Sequence, residues 1–472
     1  MRHVGSCHSF FGRRGRLLAG LALGGALLLC LVASASARPG SDAASRAIFD
    51  LGATPSWTLA VAGPGSWDDL ANDVKITSAG VTYVAGEIGS ASHGRDVSLV
   101  KIVHGIAVWA QPKRYDSPFH KNDGAENLAL GPGNVIYTAG YAQSANGGVD
   151  ILLVKWSSTG KVLWARRYDG PVHGYDEATG VGVDAAGNVT VAGVSAGAGG
   201  YLDGVLLSWT SSGVRRWKWR YDGVFHGKDA LQDMLVAGNG SIYATGYTTI
   251  SASKIVALTV RLSSSGKKLW SHTYAGPAGL GAMAMAIAAR PGGGVYVAGD
   301  TNTPAAGTDG MVVRYTASGG RTLFTLDGGA GGTTDQFFGD VAVASTRQVV
   351  AVGSDDAHGR QVAYNTNGAI AGAFTFPGVG PDSLRAVATD AFGGYYVAGS
   401  ETVAPGNVKV LSGRGSLLTG GGGWLSLWGP VNITDGVMPV AIAVRGTTAV
   451  VVGADYAGVA TGWDQFVLGY IY

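Results

Sequence analysis

Apolar and polar residues alternate along most of this chain in short runs with a period of two, as in Val81-Thr82-Tyr83-Val84-Ala85-Gly86 and Val295-Tyr296-Val297-Ala298-Gly299. Successive side chains of a strand point to opposite faces, so this period predicts strands and not helices. Between the runs stand clusters of Gly, Asn, Asp and Ser, which mark tight turns. One stretch shows the plan. Ala178 to Val183 is an apolar strand. Asp184-Ala185-Ala186-Gly187-Asn188 turns the chain, Val189 to Gly193 returns, and a Gly-rich loop follows. Asp203 to Trp209 is the third strand, Ser211-Ser212-Gly213 turns again, and Val214 to Tyr221 is the fourth. Gly and Asn sit where such turns need a positive φ.

The plan repeats. Its clearest part is a strand that closes on Gly, and the closing glycines are Gly86, Gly140, Gly193, Gly246, Gly299, Gly353, Gly399 and Gly453. Four antiparallel strands in roughly 50 residues make one blade of a β-propeller. Eight units predict an all-β, eight-bladed propeller over residues 55–472, with seven blades as the alternative. The last unit has three strands: Val440 to Val444, Thr448 to Gly453 and Asp464 to Tyr470. Ahead of the first unit stands an orphan strand, Ser56-Trp57-Thr58-Leu59-Ala60-Val61. Pairing the two builds one blade from both ends, closes the ring and leaves no bare sheet edge.

Tryptophan recurs in the fourth strands, at Trp57, Trp109, Trp164, Trp217, Trp270 and Trp424, with Phe324 and Phe374 filling two gaps. A stack of rings could face a sugar, but a large ring at one place in each outer strand more simply fills the wedge between blades.

Composition fits this picture: 78 of 472 residues are Gly and only 14% are charged, with no three-residue period that would signal collagen. Residues 1–37 read as a signal peptide. Arg13, Arg14 and Arg16 precede an apolar stretch from Leu17 to Val32, and Ala33-Ser34-Ala35-Ser36-Ala37 offers small residues for cleavage. Residues 38–54 form a short leader. The chain is therefore expected to be secreted or held at the cell surface, with no membrane contact after cleavage, and to work as a monomer. Both cysteines, Cys7 and Cys30, fall inside the signal, so the remainder depends on its core and not on disulfides. The signal holds four arginines and no acids, so its removal changes 34 basic against 32 acidic residues to 30 against 32. A charge near neutral gives no reason to expect nucleic acid as a partner.

These residues resemble the bacterial beta-propeller-repeat (SBBP) family. Asp184, Gly187, Asn188 and Gly193 match its turn and glycine-closed strand, and Asp150, Lys155, Gly160 and Trp164 match the second half of its unit. The similarity covers most of the chain and fades after about Gly320. That family is usually described as seven-bladed, and its members are mostly exported proteins without defined chemistry. The resemblance thus implies a fold and a location, and no catalytic residues. Ser158-Thr159-Gly160-Lys161-Val162-Leu163-Trp164 is also similar to the tryptophan-docking repeat of eight-bladed quinoproteins, which bind pyrroloquinoline quinone and calcium; the match is one turn, and the paired cysteines common in those enzymes are missing.

One pattern exceeds what a scaffold needs. Three successive connections between blades read Y-D-x-x-x-H-x-x-D: Tyr115-Asp116, His120, Asp123; Tyr168-Asp169, His173, Asp176; and Tyr221-Asp222, His226, Asp229. The next, Tyr274 to Ala282, has lost the Asp and His, and the connection into the first blade keeps Asp68 and Asp69 without a His. These connections share a rim with the loops between second and third strands. His and Asp there can ligate a divalent cation, orient a polar ligand or move protons. Against this, Asp before a strand often caps its own turn, and duplicated blades keep such patterns without a function. Asp96, Asp150, Asp203, Asp309 and Asp464 recur at the start of third strands and read as loop caps. Asp69, Asp116, His120, Asp123, Asp169, His173, Asp176, Asp222, His226 and Asp229 are therefore the candidate ligand-binding residues. No resident cofactor is expected beyond a loosely bound divalent cation. The expected role is a non-enzymatic binding or scaffold module for an extracellular carbohydrate, a wall component or a protein. The alternative is an enzyme: a lyase or hydrolase using these His and Asp, or a quinone-dependent dehydrogenase.

Overall fold

The structure, a computed structural model, describes residues 49–471 apart from short stretches at 52–53, 65–67, 305–306, 325, 327–334, 345–347, 356–357, 377–381, 405–406, 417–422, 429–436 and 459–461. The signal segment and most of the leader thus lie outside the described residues.

Eight antiparallel blades stand in a ring. Their innermost strands are, in order, Leu70–Ile76, Asp123–Gly131, Asp176–Val183, Asp229–Val236, Ala282–Ala289, Gln336–Val343, Ser383–Thr389 and Val437–Arg445. Blade 3 is representative, running outward through Asp176–Val183, Val189–Ala196, Leu202–Trp209 and Arg215–Tyr221. Blade 1 departs from it, because its outer strand is broken into Ile106–Ala107 and Lys113–Tyr115.

The repeating glycine has a steric cause. In blade 3 the register slips between Ala178 and Gly180, a bulge in the innermost strand. A Cβ at Gly193 would stand 2.0 Å from the Glu177 carbonyl oxygen, which the bulge pushes toward it. The same bulge faces Gly86 and Gly453 in the blades at either end of the chain. Bulges of this kind bend a strand and strengthen its twist, which suits the crowded inner edge of a blade.

Ring closure is as the chain ends predict. Trp57–Val61 is the outer strand of blade 8 and pairs antiparallel with Gly462–Ile471, with Trp57 opposite Gly469 and Ala60 opposite Phe466. Beyond it in the leader, Phe49–Leu51 adds a short parallel strand to the outside of blade 7, opposite Gly423–Leu425. The core lies between blades. Ile151 and Leu153 of blade 2 meet Val189, Val191, Val205 and Leu207 of blade 3, all at 0% exposure, and each such side chain contributes about 1.5–3 kcal/mol by leaving water.

The outer tryptophans fill the wedges. The indole N–H groups of Trp164, Trp217 and Trp270 donate to the carbonyls of Ser211, Ser264 and Ala317 in the next blade's turn, at 3.1, 3.1 and 3.0 Å. The Trp424 side chain lies outside the described residues.

Candidate functional site

Each of the three repeated connections folds as a tight turn with His at its end. The His120, His173 and His226 amides donate to the carbonyls of Ser117, Gly170 and Gly223, at 3.0, 3.3 and 2.8 Å. Pro118 and Pro171 pre-set the backbone at the second turn position. The histidines then take left-handed backbone angles, with φ of 50°, 52° and 49°. Each Nδ1 bonds the Asp four residues back, His120 to Asp116 and His173 to Asp169 at 2.6 Å, and His226 to Asp222 at 2.9 Å. Their imidazoles remain 66%, 79% and 75% exposed. The bond from Asp169 raises the His173 pKa, and Asp222 does the same for His226.

The last Asp of the second and third motifs, and Asp69 in the connection into blade 1, are latches, whereas Asp123 takes the Ser117 amide at 2.5 Å on one oxygen and its Oδ1 has no partner. Asp176 is fully buried, takes the Gly170 amide at 2.6 Å on one oxygen and takes the Ala196 amide at 3.1 Å on the other. Asp229 holds Gly223 and Thr249 in the same way, at 2.6 and 3.1 Å. Asp69 holds Gly63 and Gly89, both at 2.5 Å. Each latch ties the connection into a blade to the rim loop beside it. Burial raises the Asp176 and Asp69 carboxyls, and the amide bonds oppose that rise. The expected binding set thus divides in two: exposed His side chains with their partly exposed Asp partners at the surface, and buried Asp side chains.

Two groups escaped sequence reasoning. An Arg precedes the Tyr-Asp of every copy, and it pairs with the third-strand Asp: Arg114 with Asp96 at 3.4 Å, Arg220 with Asp203 at 2.6 Å, and Arg167 with Asp150. These third-strand acids therefore do not simply cap loops. They complete clusters of three carboxylates, Asp96 with Asp116 and Asp123, Asp150 with Asp169 and Asp176, and Asp203 with Asp222 and Asp229, with ligating atoms inside 4.8 Å of one another. The other group is a belt of inner-strand acids. Asp73, Asp233 and Asp340 accept the amides of Leu128, Ile287 and Val387 in the following blade, at 2.8, 2.9 and 2.8 Å. Burial pushes Asp233 up to about 7.

Beside the second turn lies a hollow of about 360 Å³, lined by Phe119, Ser144, Asn146, Asp150, Arg167 and His173 among others. The Arg167 guanidinium lies 4.5 Å from the centre of the Phe119 ring. Apolar side chains stand next to the histidines on this rim, with Val172 and Phe225 exposed as well as Phe119.

No protein-family model matches the chain, and no curated protein matches it. Among solved structures it is similar to the quinohemoprotein alcohol dehydrogenase of Comamonas testosteroni, at 12% identity over 89% of this chain and 76% of that one, with a TM-score of 0.49. A protein of unknown function from Dyadobacter fermentans matches at 10% identity over 89% of this chain and 99% of that one, with a TM-score of 0.43. A puromycin hydrolase matches at 12% identity over 72% of this chain and 50% of its own, with a TM-score of 0.44. At these identities none of them lends this chain an activity.

Proposed function

We propose that this chain is an exported, non-enzymatic binding module that holds an extracellular carbohydrate on the rim of blades 1 to 4. One observation carries the reading. The fourth connection, Tyr274 to Ala282, closes a turn with the same hydrogen bond, with Gly279 in the place of His at φ 66° and its amide on the Gly276 carbonyl at 3.2 Å, while Gly276 and Gly281 also take positive φ. The turn thus forms without His. A left-handed site costs Gly little and a larger residue more. Three exposed histidines in such sites serve the surface and not the fold.

The neighbouring hollow supplies complementary chemistry. Phe119 offers a ring face, and Asn146, Arg167, Asp169 and His173 offer directed polar groups. A sugar ring has an apolar face and a hydroxyl edge, and this mixture suits both. Against catalysis, each histidine bonds the carboxylate of its own turn and not one from across the ring.

The test is co-sedimentation with insoluble wall polysaccharides and affinity electrophoresis in soluble ones. The chain is expected to be retained by at least one glycan, and the double variant His173→Gly, His226→Gly to lose at least about tenfold in affinity while unfolding no more easily than the parent. Retention by no glycan, or a double variant that binds as well as the parent, contradicts the reading.

A further inference from the structure

The three carboxylate clusters have the same layout but not the same bonding. At the second and third junctions no oxygen of Asp150, Asp176, Asp203 or Asp229 is both buried and without a hydrogen-bond partner. The first junction differs. Asp96 and Asp123 are 4% and 0% exposed. In each of them Oδ1 is buried with no hydrogen-bond partner, and so is Oδ1 of Asp116. Arg114 reaches Asp96 Oδ2 only at 3.4 Å and gives its better bond, at 2.9 Å, to the Gly89 carbonyl. Three carboxylates this close repel one another, and orphaned buried oxygens are costly.

This junction also holds a residue the others lack. His93 stands three places before Asp96, where the next two blades have Gly147 and Gly200. Its ring faces the cluster, with Nε2 at 3.4 Å from Asp116 Oδ2 and Nδ1 at 3.7 Å from Asp96 Oδ1. The His93 and His120 ring centres are 5.5 Å apart. Ligating atoms of His93, Asp116 and His120 lie within 4.8 Å of one another, and Asp116 belongs to the carboxylate cluster too.

We propose that the junction between blades 1 and 2 binds one divalent transition-metal ion through His93, Asp116 and His120, with Asp96 and Asp123 closing the site. Two imidazoles with carboxylates select zinc-like ions over calcium or magnesium, which prefer oxygen alone. A small shift of the side chains brings donors at this spacing to the roughly 2.0–2.2 Å that zinc requires. The ion supplies the positive charge that the orphaned oxygens lack. It also clamps the rim loop of blade 1, through His93 and Asp96, to the connection into blade 2. The site meets the carbohydrate surface at His120, but the carbohydrate test alters His173 and His226, which take no part in metal binding, so the two readings fail separately.

The probe is Zn²⁺, titrated by calorimetry into the purified chain after it has been stripped with a chelator and freed of any affinity tag. One ion per chain is expected, with a thermal midpoint that rises on zinc addition. His93→Gly recreates the neighbouring junctions and should weaken binding at least about tenfold, as should Asp116→Asn. His173→Gly should bind as the parent does. A parent that takes up no zinc, or a His93→Gly variant that keeps the parent's stoichiometry and affinity, overturns the proposal. Circular dichroism of each variant separates a lost site from a lost fold.

Discussion

At the scale of single residues, each repeated turn separates two jobs that its motif runs together. Asp176 faces inward and its two oxygens hold two amides, whereas the His173 imidazole faces water and bonds Asp169. Removing Asp176 strands buried N–H groups, which costs about 1–3 kcal/mol for a donor left without a partner. Asp176→Ala is therefore expected to lower the unfolding free energy by that amount in urea titrations. His173→Gly relieves a left-handed angle and should be neutral or stabilising by up to about 1 kcal/mol. Equal losses in both variants would refute this division. The sequence displayed the turns because they recur three times. It hid His93, which occurs once and has no copy to draw the eye, and it hid the Arg–Asp pairs. Arg114 and Asp96 are 18 residues apart, and only the pairing of third with fourth strand brings them together.

At the scale of strands and turns, the chain was almost fully legible. Period-two alternation gave the strands, and the recurring glycine marked a bulge that alternation alone does not reveal. The outer wedges rest on a second set of glycines. Gly266 has φ of 81°, and a Cβ there would fall 2.5 Å from the Trp217 ring of the preceding blade. Gly266→Ala meets both the left-handed angle and the indole, so a loss of about 1–3 kcal/mol is expected. Equilibrium denaturation followed by tryptophan fluorescence measures it, and an unchanged midpoint would mean that the blades do not abut at this turn. The broken outer strand of blade 1 was not legible, since Ile106–Ala107 and Lys113–Tyr115 are separated by a segment that reads like a continuous strand around Trp109.

At the scale of the whole molecule, closure is what gives the rim its geometry. Trp57–Val61 belongs to blade 8 by pairing and stands next to blade 1 in sequence, so one sheet carries both ends of the ring. The two chain termini were legible because one unit lacked a fourth strand and an unmatched strand preceded the first. With the ring shut, the turns of blades 1 to 4 hold fixed positions on one rim, and the metal and carbohydrate readings both need that order. An open ring would expose the outer edge of Gly462–Ile471 and let the ends fray. Amide hydrogen exchange read by mass spectrometry tests closure without altering the protein. Peptides covering Trp57–Val61 are expected to exchange as slowly as those covering Phe466–Tyr470, both opening only when the whole propeller unfolds. Complete exchange of Trp57–Val61 within seconds, while the inner strands stay protected, would contradict a ring closed by its own ends.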